Sequence, residues 1–446
     1  MTADGLPRLI PPGGPLPLAG HIGRYGPVPF REGPGLIAEV ERAGLTGRGG
    51  AGFPAGAKMR AVAEAGRTAG PLRSQVGTVV VANGAESEPA SAKDRLLLAR
   101  APHLVLDGIA VAAEAVGASR GYLSLHAGRE ELALQLAAAI AERDRTGLNR
   151  VPIQIAVVPR TYVASQETAL VSQLNGGPPK PTFAPPRPSQ RGAHGRPTLV
   201  QNVETLAHVA LIARYGAGWF REVGVPASPP PGGAAEFPAG PPRPGAAGSA
   251  LVTISGAVHR PGVYEIELGI PIGDLVGQAG GASEQPQAIL AGGYLGGWLP
   301  YAQSLGIGIS DPALRAAGAA LGPGVLVLLP ESACGLAETA RIADYLAGQS
   351  AGQCGPCRNG LPVLADTLGQ LAFGRPDRRA LGWAERLLTL VEQRGACHLP
   401  DGTAAFVASA LRTFTDELRQ HGAAGPCSRV RHGPVLPAPG YAGRRR

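Results

Sequence analysis

Lysine is nearly missing from this 446-residue chain: of 41 basic residues, only Lys58, Lys93 and Lys180 are lysines. With 66 Gly and 44 Pro, the bias reads as drift toward Arg, Ala, Gly and Pro. The formal charge of +8 is therefore a poor argument for a nucleic-acid partner. Aromatic residues make up 4%, and no basic patch is interleaved with them, so nucleic-acid binding is set aside. No apolar run reaches the roughly 20 residues that a transmembrane helix needs, so no transmembrane segment is expected. Residues 1–17 lack a basic stretch followed by an apolar one, which makes the cytoplasm the expected location. Five cysteines in such a chain argue against a disulfide framework. The scarcity of lysine is informative in turn. Where either cation serves, this chain writes Arg, so a surviving Lys marks a place for a compact ammonium, or survives by chance.

The hydrophobic share of 44% describes a globular chain long enough for several cores. Residues 1–75 form an N-terminal segment. It contains a short helix at 35–43 and then the densest glycine run of the sequence, at 47–54. Residues 76–224 alternate strand and helix. Strands fall at 78–82, 122–125 and 151–158, and helices at 103–116, 130–143, 167–174 and 200–215. That order predicts a mainly parallel, Rossmann-like α/β sheet covered on both faces. Residues 225–248 are a Pro/Gly/Ala linker. Residues 249–330 read as a small α+β domain, with paired strands at 250–255 and 262–266 and a short helix at 272–278. From 331 to 421 four apolar-striped segments, near 332–347, 357–372, 378–394 and 402–420, predict a four-helix bundle. Residues 422–446 are expected to be a frayed basic tail.

Three constellations carry chemistry. Gly47, Gly49 and Gly52 make a G-x-G-x-x-G pattern, but a helix precedes it where a dinucleotide fingerprint has a strand. Glycine-rich backbone still approaches a phosphate or flat ring closely, and Lys58 follows with positive charge; the competing reading is a tight surface loop. The segment 83–89 (NGAESEP) lies just past a strand, where open α/β sheets bind ligands. There Asn83 suits a flavin pyrimidine edge and Glu86 and Glu88 suit an amide or ribose, against the alternative of a solvated polar loop. The following Lys93, Asp94 and Arg95 read as a local ion-pair cluster. Third, Cys354 and Cys357 form a CxxC turn at a helix start, and Cys397 lies further on. Iron–sulfur clusters want four converging thiolates, commonly three from a C-x₂-C-x₂-C turn. Here the first place of that turn is Ala351. Three ligands hold an incomplete cuboidal cluster, or one closed by a non-Cys ligand, or nothing.

These motifs resemble, in order, those of the NADH-binding flavoprotein subunit of NADH-quinone oxidoreductase (bacterial complex I), a family shared with NAD-linked hydrogenases and formate dehydrogenases. Residues 44–58 (GLTGRGGAGFPAGAK) are similar to its FMN loop, and residues 83–95 to its NADESEPGSFKDR. Residues 162–170 are similar to YICGEETAL and residues 197–205 to KPTVVNNVET. Residues 255–264 resemble the opening of its ubiquitin-like SLBB domain, and residues 350–358 resemble ESCGxCxPCR, with Cys397 at the place of the distant cysteine. The resemblance implies a Rossmann-like FMN/NADH domain, an SLBB domain and a helical iron–sulfur domain, with FMN, NADH and a [4Fe–4S]-type cluster as cofactors. Gly47, Arg48, Gly49, Gly50, Gly52, Asn83, Glu86, Tyr162, Gln201, Asn202 and Thr205 would surround FMN. Phe53, Lys58, Glu88 and Glu167 would face NADH, with Glu88 as the catalytic residue. Cys354, Cys357 and Cys397 would hold the cluster.

The chain departs from the pattern at Ala85 for Asp, Ala92 for Phe, Ala164 and Ser165 for Cys-Gly, Gln166 for Glu, Gln201 for Asn, Gln349 for Glu and Ala351 for Cys. Cys334, Cys427, Ser350 and His398 are the candidate replacements for the missing cluster ligand. Two functions follow. The first is NADH oxidation on FMN, with electrons passed to a ferredoxin-like or membrane redox partner subunit, which would place the chain peripherally at the inner face of the membrane. The second is a divergent paralogue without NADH activity, acting in electron transfer or assembly. The SLBB-like domain, a sugar or cobalamin binder elsewhere, is expected to serve here in packing or partner docking.

Overall fold

The computed structural model describes residues 6–30, 33–68, 77–225, 246–374 and 378–439. The interior of the Pro/Gly linker and the terminal arginines lie outside these residues.

The first sheet is built from β-branched and small residues, with side chains of β1 and β4 buried on both faces and the edge strand β3 partly exposed. Strands β1 (Thr78–Asn83), β2 (Ala118–His126), β3 (Ile153–Val158) and β4 (Thr198–Asn202) are all parallel, in the order β3-β2-β1-β4. Val80, Ala82 and Leu199 face one core, and Val79, Val81 and Val200 the other. β4 corrects the expected helix from residue 200. Residues Thr198–Asn202 pair with β1, and only then does Asn202 turn the chain, its side chain accepting from the Glu204 N–H to cap the helix Val203–Phe220. The apolar run across 199–213 hides that boundary, because a buried strand and a buried helix share it.

The helix Pro102–Val116 starts with Pro at its first turn and ends at Gly117, which is left-handed at φ 66°. It packs so closely on Val203–Phe220 that a Cβ at Gly108 would lie 2.1 Å from the Leu206 carbonyl oxygen. Its one buried acid, Asp107, is gripped by His21 and Arg143 (2.7 Å each) and by Arg214 (2.5 Å). Burial alone would raise the Asp107 carboxyl, but His21 and the two guanidinium groups outweigh it and hold it at about 2.

Two-residue strands β5 (Gly224–Val225) and β6 (Ala246–Ala247) flank the linker. The second sheet has the order β10-β9-β11-β7-β8, with β7 Ser249–Gly256, β8 Gly262–Glu267, β9 Pro286–Ala291, β10 Gly297–Pro300 and β11 Val325–Pro330. The expected β7–β8 pairing is antiparallel, and the helix Ile272–Gln278 lies where the periodicity places it. One face of this sheet closes its own core around Val252, Ile272, Ile289 and Leu328. The other, with Ala288, Leu290 and Val327, enters the core of the helical domain.

That domain comprises Gly335–Gly348, Leu361–Phe373, Arg378–Val391, Leu399–Thr413 and Thr415–Ala424. The helix expected at 402–420 is thus two. The break at Phe414 lets its ring bury against Trp298, with centroids 5.3 Å apart, and against Gly335. The tail also differs from expectation. Up to residue 439 it packs back on the bundle, with Leu436 fully buried and its N–H bonded to Glu338. Among the described residues no single helix is long and apolar enough to cross a membrane.

Gly108→Ala should destabilise the full chain by on the order of 2–3 kcal/mol, because the added methyl meets backbone and not a movable side chain. Urea unfolding checks this; a wild-type midpoint would mean that the two helices separate at little cost.

Candidate functional site

The glycine run is a closed loop. Thr46 and Pro54 form a bridge across its neck, the Gly47 N–H donates to the Phe53 carbonyl at 2.9 Å, and the Ala55 N–H to the Leu45 carbonyl at 2.9 Å. Gly50 and Gly52 have φ of 114° and 64°, which residues with a side chain rarely adopt. The loop feeds directly into the helix Ala55–Thr68, which the sequence pattern does not announce because small residues blur its stripe. A glycine loop opening onto a helix N-terminus offers unbonded N–H groups to an anion. Lys58 in the first turn reaches Glu167 Oε2 at 2.7 Å, and both are partly exposed. Phe53, in the same loop, stands half exposed.

The loop leans on the carboxyl ends of β1 and β4, where Asn83 and Asn202 are register partners. A Cβ on Gly49 would lie 3.2 Å from the Asn202 Cβ. Asn83 Nδ2 donates to the Ser165 carbonyl at 2.7 Å, and its Oδ1 accepts from Ala85 N–H and Ser124 Oγ. Gln166, which replaces the family's acid, caps the helix Glu167–Leu174 by accepting from the Thr168 and Ala169 N–H groups. That cap leaves Glu167 alone to meet Lys58. Ala85 and Ala164 are buried together in an apolar cluster with Val79, Val81 and Leu170, so no carboxylate stands where the family has one.

Beneath Asn202 lies an ion cluster that the sequence shows only as a local pair. Lys93 is 1% exposed. Its ammonium reaches Asp94 Oδ1 at 2.6 Å, Glu204 Oε2 at 2.8 Å and Asn202 Oδ1 at 3.3 Å. Three donors meet three acceptors, a geometry no planar guanidinium reproduces. Burial would lower this lysine, but the Asp94 and Glu204 carboxylates outweigh it and raise it. Two of the three surviving lysines therefore sit at this site in ion pairs. Glu86 accepts from Ser91 Oγ at 2.6 Å and Asp94 N–H at 3.1 Å, and burial, then the Asp94 charge, raise its carboxyl.

Not every expected contact faces this cleft. Arg48 and Thr205 are turned inward. The Arg48 N–H donates to Thr205 Oγ1 at 2.9 Å, while its guanidinium reaches Thr46 Oγ1 and the Ser249 carbonyl. Both residues fix the loop to the body of the protein. Glu88, expected to face NADH, is buried where three domains meet, and Tyr162 beside it is partly buried. Glu88 Oε2 accepts from Tyr162 Oη at 2.8 Å and the Tyr294 N–H at 2.9 Å, and Oε1 from the Ala90 N–H at 3.3 Å. Tyr345 of the helical domain stacks edge-on against both tyrosines. The sequence could not reveal this, because Tyr294 and Tyr345 lie more than 200 residues from Glu88 along the chain. A surface groove lined by Arg95, Leu96, Gly128, Arg129 and Val263 contains none of the site residues.

Of the three expected cysteines, Cys354 and Cys357 adjoin one another and Cys397 lies near them. Cys354 and Cys357 are hydrogen-bonded neighbours, and Cys397 is close enough to raise Cys357 by its charge. Burial opposes ionisation of Cys354, but the N–H groups of Ala396 and Cys357 outweigh it and lower the thiol. Cys357 is pushed up to about 12 by burial and by Cys354. Ala351 is buried in the same core. Of the candidate replacement ligands, Cys334 and Cys427 gather on His421 and not on this turn, while His398 is exposed and Ser350 half-buried.

Burial holds Glu88 at about 7 against an ordinary value of 4.5, although three donors pull it down. The folded protein then keeps a proton that the unfolded chain has released. This group's contribution to stability accordingly declines as pH rises from about 4.5 to about 7 and is level above. Glu88→Gln should remove that decline, on the order of 3 kcal/mol across the window. Urea unfolding of both proteins at pH 5 and pH 8 measures it, and parallel pH dependences would contradict a protonated Glu88.

Known proteins share this arrangement of domains. Residues 40–211 match the Nuo51 FMN-binding domain model, residues 251–297 the SLBB domain, and residues 332–421 the NADH-ubiquinone oxidoreductase-F iron–sulfur binding region. The chain is 31% identical over 398 residues to the second of the NADH-quinone oxidoreductase F subunits of Rhizobium meliloti, covering 86% of this chain and 88% of that one. It is 31% identical over 412 residues to the NADH-quinone oxidoreductase F subunit of Mycobacterium tuberculosis, covering 88% and 85%. Among solved structures, an NAD⁺-reducing [NiFe]-hydrogenase in its H₂-reduced state superimposes with a TM-score of 0.74 at 31% identity, over 88% of this chain. Its air-oxidised state gives 0.77 at 30%, over 92%. The chain spans 63% and 65% of those hydrogenase chains. By the length and evenness of these matches, the chain belongs to the family of NADH-binding flavoprotein subunits of NADH-quinone oxidoreductase.

Proposed function

We propose that this chain oxidises NADH on FMN and passes the electrons, through its cysteine site, to a partner redox subunit. The observation that carries this reading is the glycine loop, closed at its neck, opening onto a helix N-terminus and lying against Asn202 at the carboxyl ends of the parallel strands. The residues present fit FMN. Gln201 Nε2 is buried without a hydrogen-bond partner among the described residues, a donor awaiting an acceptor. Gly49 leaves open the space beside Asn202 that a side chain would crowd.

The loop N–H groups and the start of Ala55–Thr68 would hold the phosphate, while Gln201 would meet the polar edge of the ring system and Asn202, its amide already bonded within the protein, would back the loop. When bound, a flavin supplies hydride acceptance from a dihydronicotinamide and one-electron release. The chain's own part is positional. Phe53 offers an aromatic face for stacking. Lys58, held by Glu167, presents a charge-assisted donor at the mouth of the cleft. Asn202 cannot swing away, because Lys93 and Asp94 grip its amide from below. Glu88 fastens Tyr162 and Tyr294 together. Cys354, Cys357 and Cys397 would hold iron, with the Cys354 thiol already eased toward its thiolate by backbone N–H groups. The partner is a redox protein of ferredoxin type or a membrane-bound subunit, which would bring the chain to the inner face of the membrane.

Purified protein reconstituted with FMN should be yellow and should bleach on adding NADH. Lys58→Ala should raise KM for NADH about tenfold with a smaller change in kcat, the pattern of lost ground-state binding. Protein that stays colourless after reconstitution would leave the chain only a structural role; protein that takes up FMN but is not reduced by NADH would favour another donor.

Anaerobic reconstitution with iron and sulfide should give fewer than four irons per chain, and Ala351→Cys should raise the iron content toward four. A full four-iron cluster in the unaltered protein would show that a residue other than Cys already closes it.

A further inference from the structure

A second thiol site lies elsewhere in the helical domain, independent of the flavin reading. Cys334 precedes the helix Gly335–Gly348, His421 sits in Thr415–Ala424, and Cys427 follows that helix. All three are buried, and their ligand atoms lie within 4.8 Å of one another. We propose that Cys334, His421 and Cys427 form a mononuclear tetrahedral site for a zinc-type divalent cation, with Glu417, which already touches Cys334, swinging in as the fourth ligand.

The geometry argues for one ion. Zinc–sulfur bonds of about 2.3 Å and zinc–nitrogen or zinc–oxygen bonds of about 2.0–2.1 Å set neighbouring ligand atoms about 3.5–3.8 Å apart. Cys334 Sγ is 3.9 Å from His421 Nε2 and 3.3 Å from Glu417 Oε2. Supporting groups orient the ligands as metal sites require. His421 Nδ1 lies 3.1 Å from the Leu371 carbonyl, which can only accept, so the proton sits on Nδ1 and the Nε2 lone pair faces the thiols. Glu417 Oε1 is held by Arg429 at 3.1 Å and the Gly335 N–H at 3.3 Å, and Oε2 accepts from the Leu336 N–H at 3.1 Å and from the Cys334 thiol.

Binding a divalent ion releases one proton from each thiol to solvent and exchanges the Cys427 N–H···Nε2 hydrogen bond (3.2 Å) for a metal bond. Two thiolates and one carboxylate then balance the ion and the Arg429 guanidinium, leaving the buried cluster neutral overall. The site joins three stretches: the exit from β11, the helix Thr415–Ala424, and the segment that runs on to Leu436 and to Pro437, whose carbonyl accepts from Tyr294 Oη. A metal here fastens the C-terminal segment behind the Glu88–Tyr294 contact.

Cobalt(II) is the probe. The full chain carrying Cys354→Ser and Cys357→Ser, which disables the cluster turn, is reduced and titrated anaerobically. The expected result is one equivalent bound, with a thiolate-to-cobalt charge-transfer band and the visible bands of tetrahedral cobalt, all displaced by one equivalent of zinc. Adding Cys427→Ser should halve the charge-transfer intensity and weaken binding at least tenfold, and Glu417→Gln should weaken it while keeping both thiolate bonds. Should the Cys427→Ser protein not fold, the stoichiometry and two-thiolate intensity of the parent decide alone. No saturable cobalt spectrum in that parent would overturn the site. So would a Cys334–Cys427 disulfide, seen by mass spectrometry, whose reduction yields no metal uptake.

Discussion

The fold's active edge rests on one buried ammonium. Lys93 joins Asp94, Glu204 and Asn202, which are tied to one another and onward to the rest of the molecule. Asp94 reaches back to Asn202 Nδ2 at 2.7 Å. Glu204 Oε1 accepts from the Leu251 N–H at 2.9 Å, tying the second sheet to the first domain. Asn202 both caps a long helix and abuts the glycine loop. A buried charge unpaired by the loss of one partner is strongly destabilising, so these groups stand or fall together. The tight fit of the loop against the strand ends follows from this shared anchor.

The broad layout is legible in the sequence because it is written in local pattern. β-branched runs mark β1 and β3, and three-to-four spacing marks the bundle helices. That the glycine loop, Asn83 and Glu167 serve one cleft is implied by the resemblance of the ordered motifs to the family's. Boundaries fail where two periodicities overlap, as at β4, or where burial of one ring breaks a helix, as at Phe414. The helix Ala55–Thr68 escapes because alanine and glycine carry little hydrophobic contrast.

Single residues are harder to read than elements. Arg48, Thr205, Tyr162 and Glu88 carry the expected types at the expected places, yet their side chains point into domain contacts. Their partners, Ser249, Tyr294 and Tyr345, are contributed by distant segments. The scarcity of lysine is a sharper guide. Lys58 and Lys93 both occupy places where a compact charge meets carboxylates, while Lys180 is exposed.

The placement of Glu88 has a bearing on how the chain is made. Its partners are Tyr162 in the first domain, the Tyr294 N–H in the second, and the ring of Tyr345 in the third over both. During synthesis this carboxylate leaves the ribosome long before residues 294 and 345 exist. It stays hydrated until both have emerged and docked. This one contact between the domains is therefore completed only after the carboxyl-terminal helices have been made.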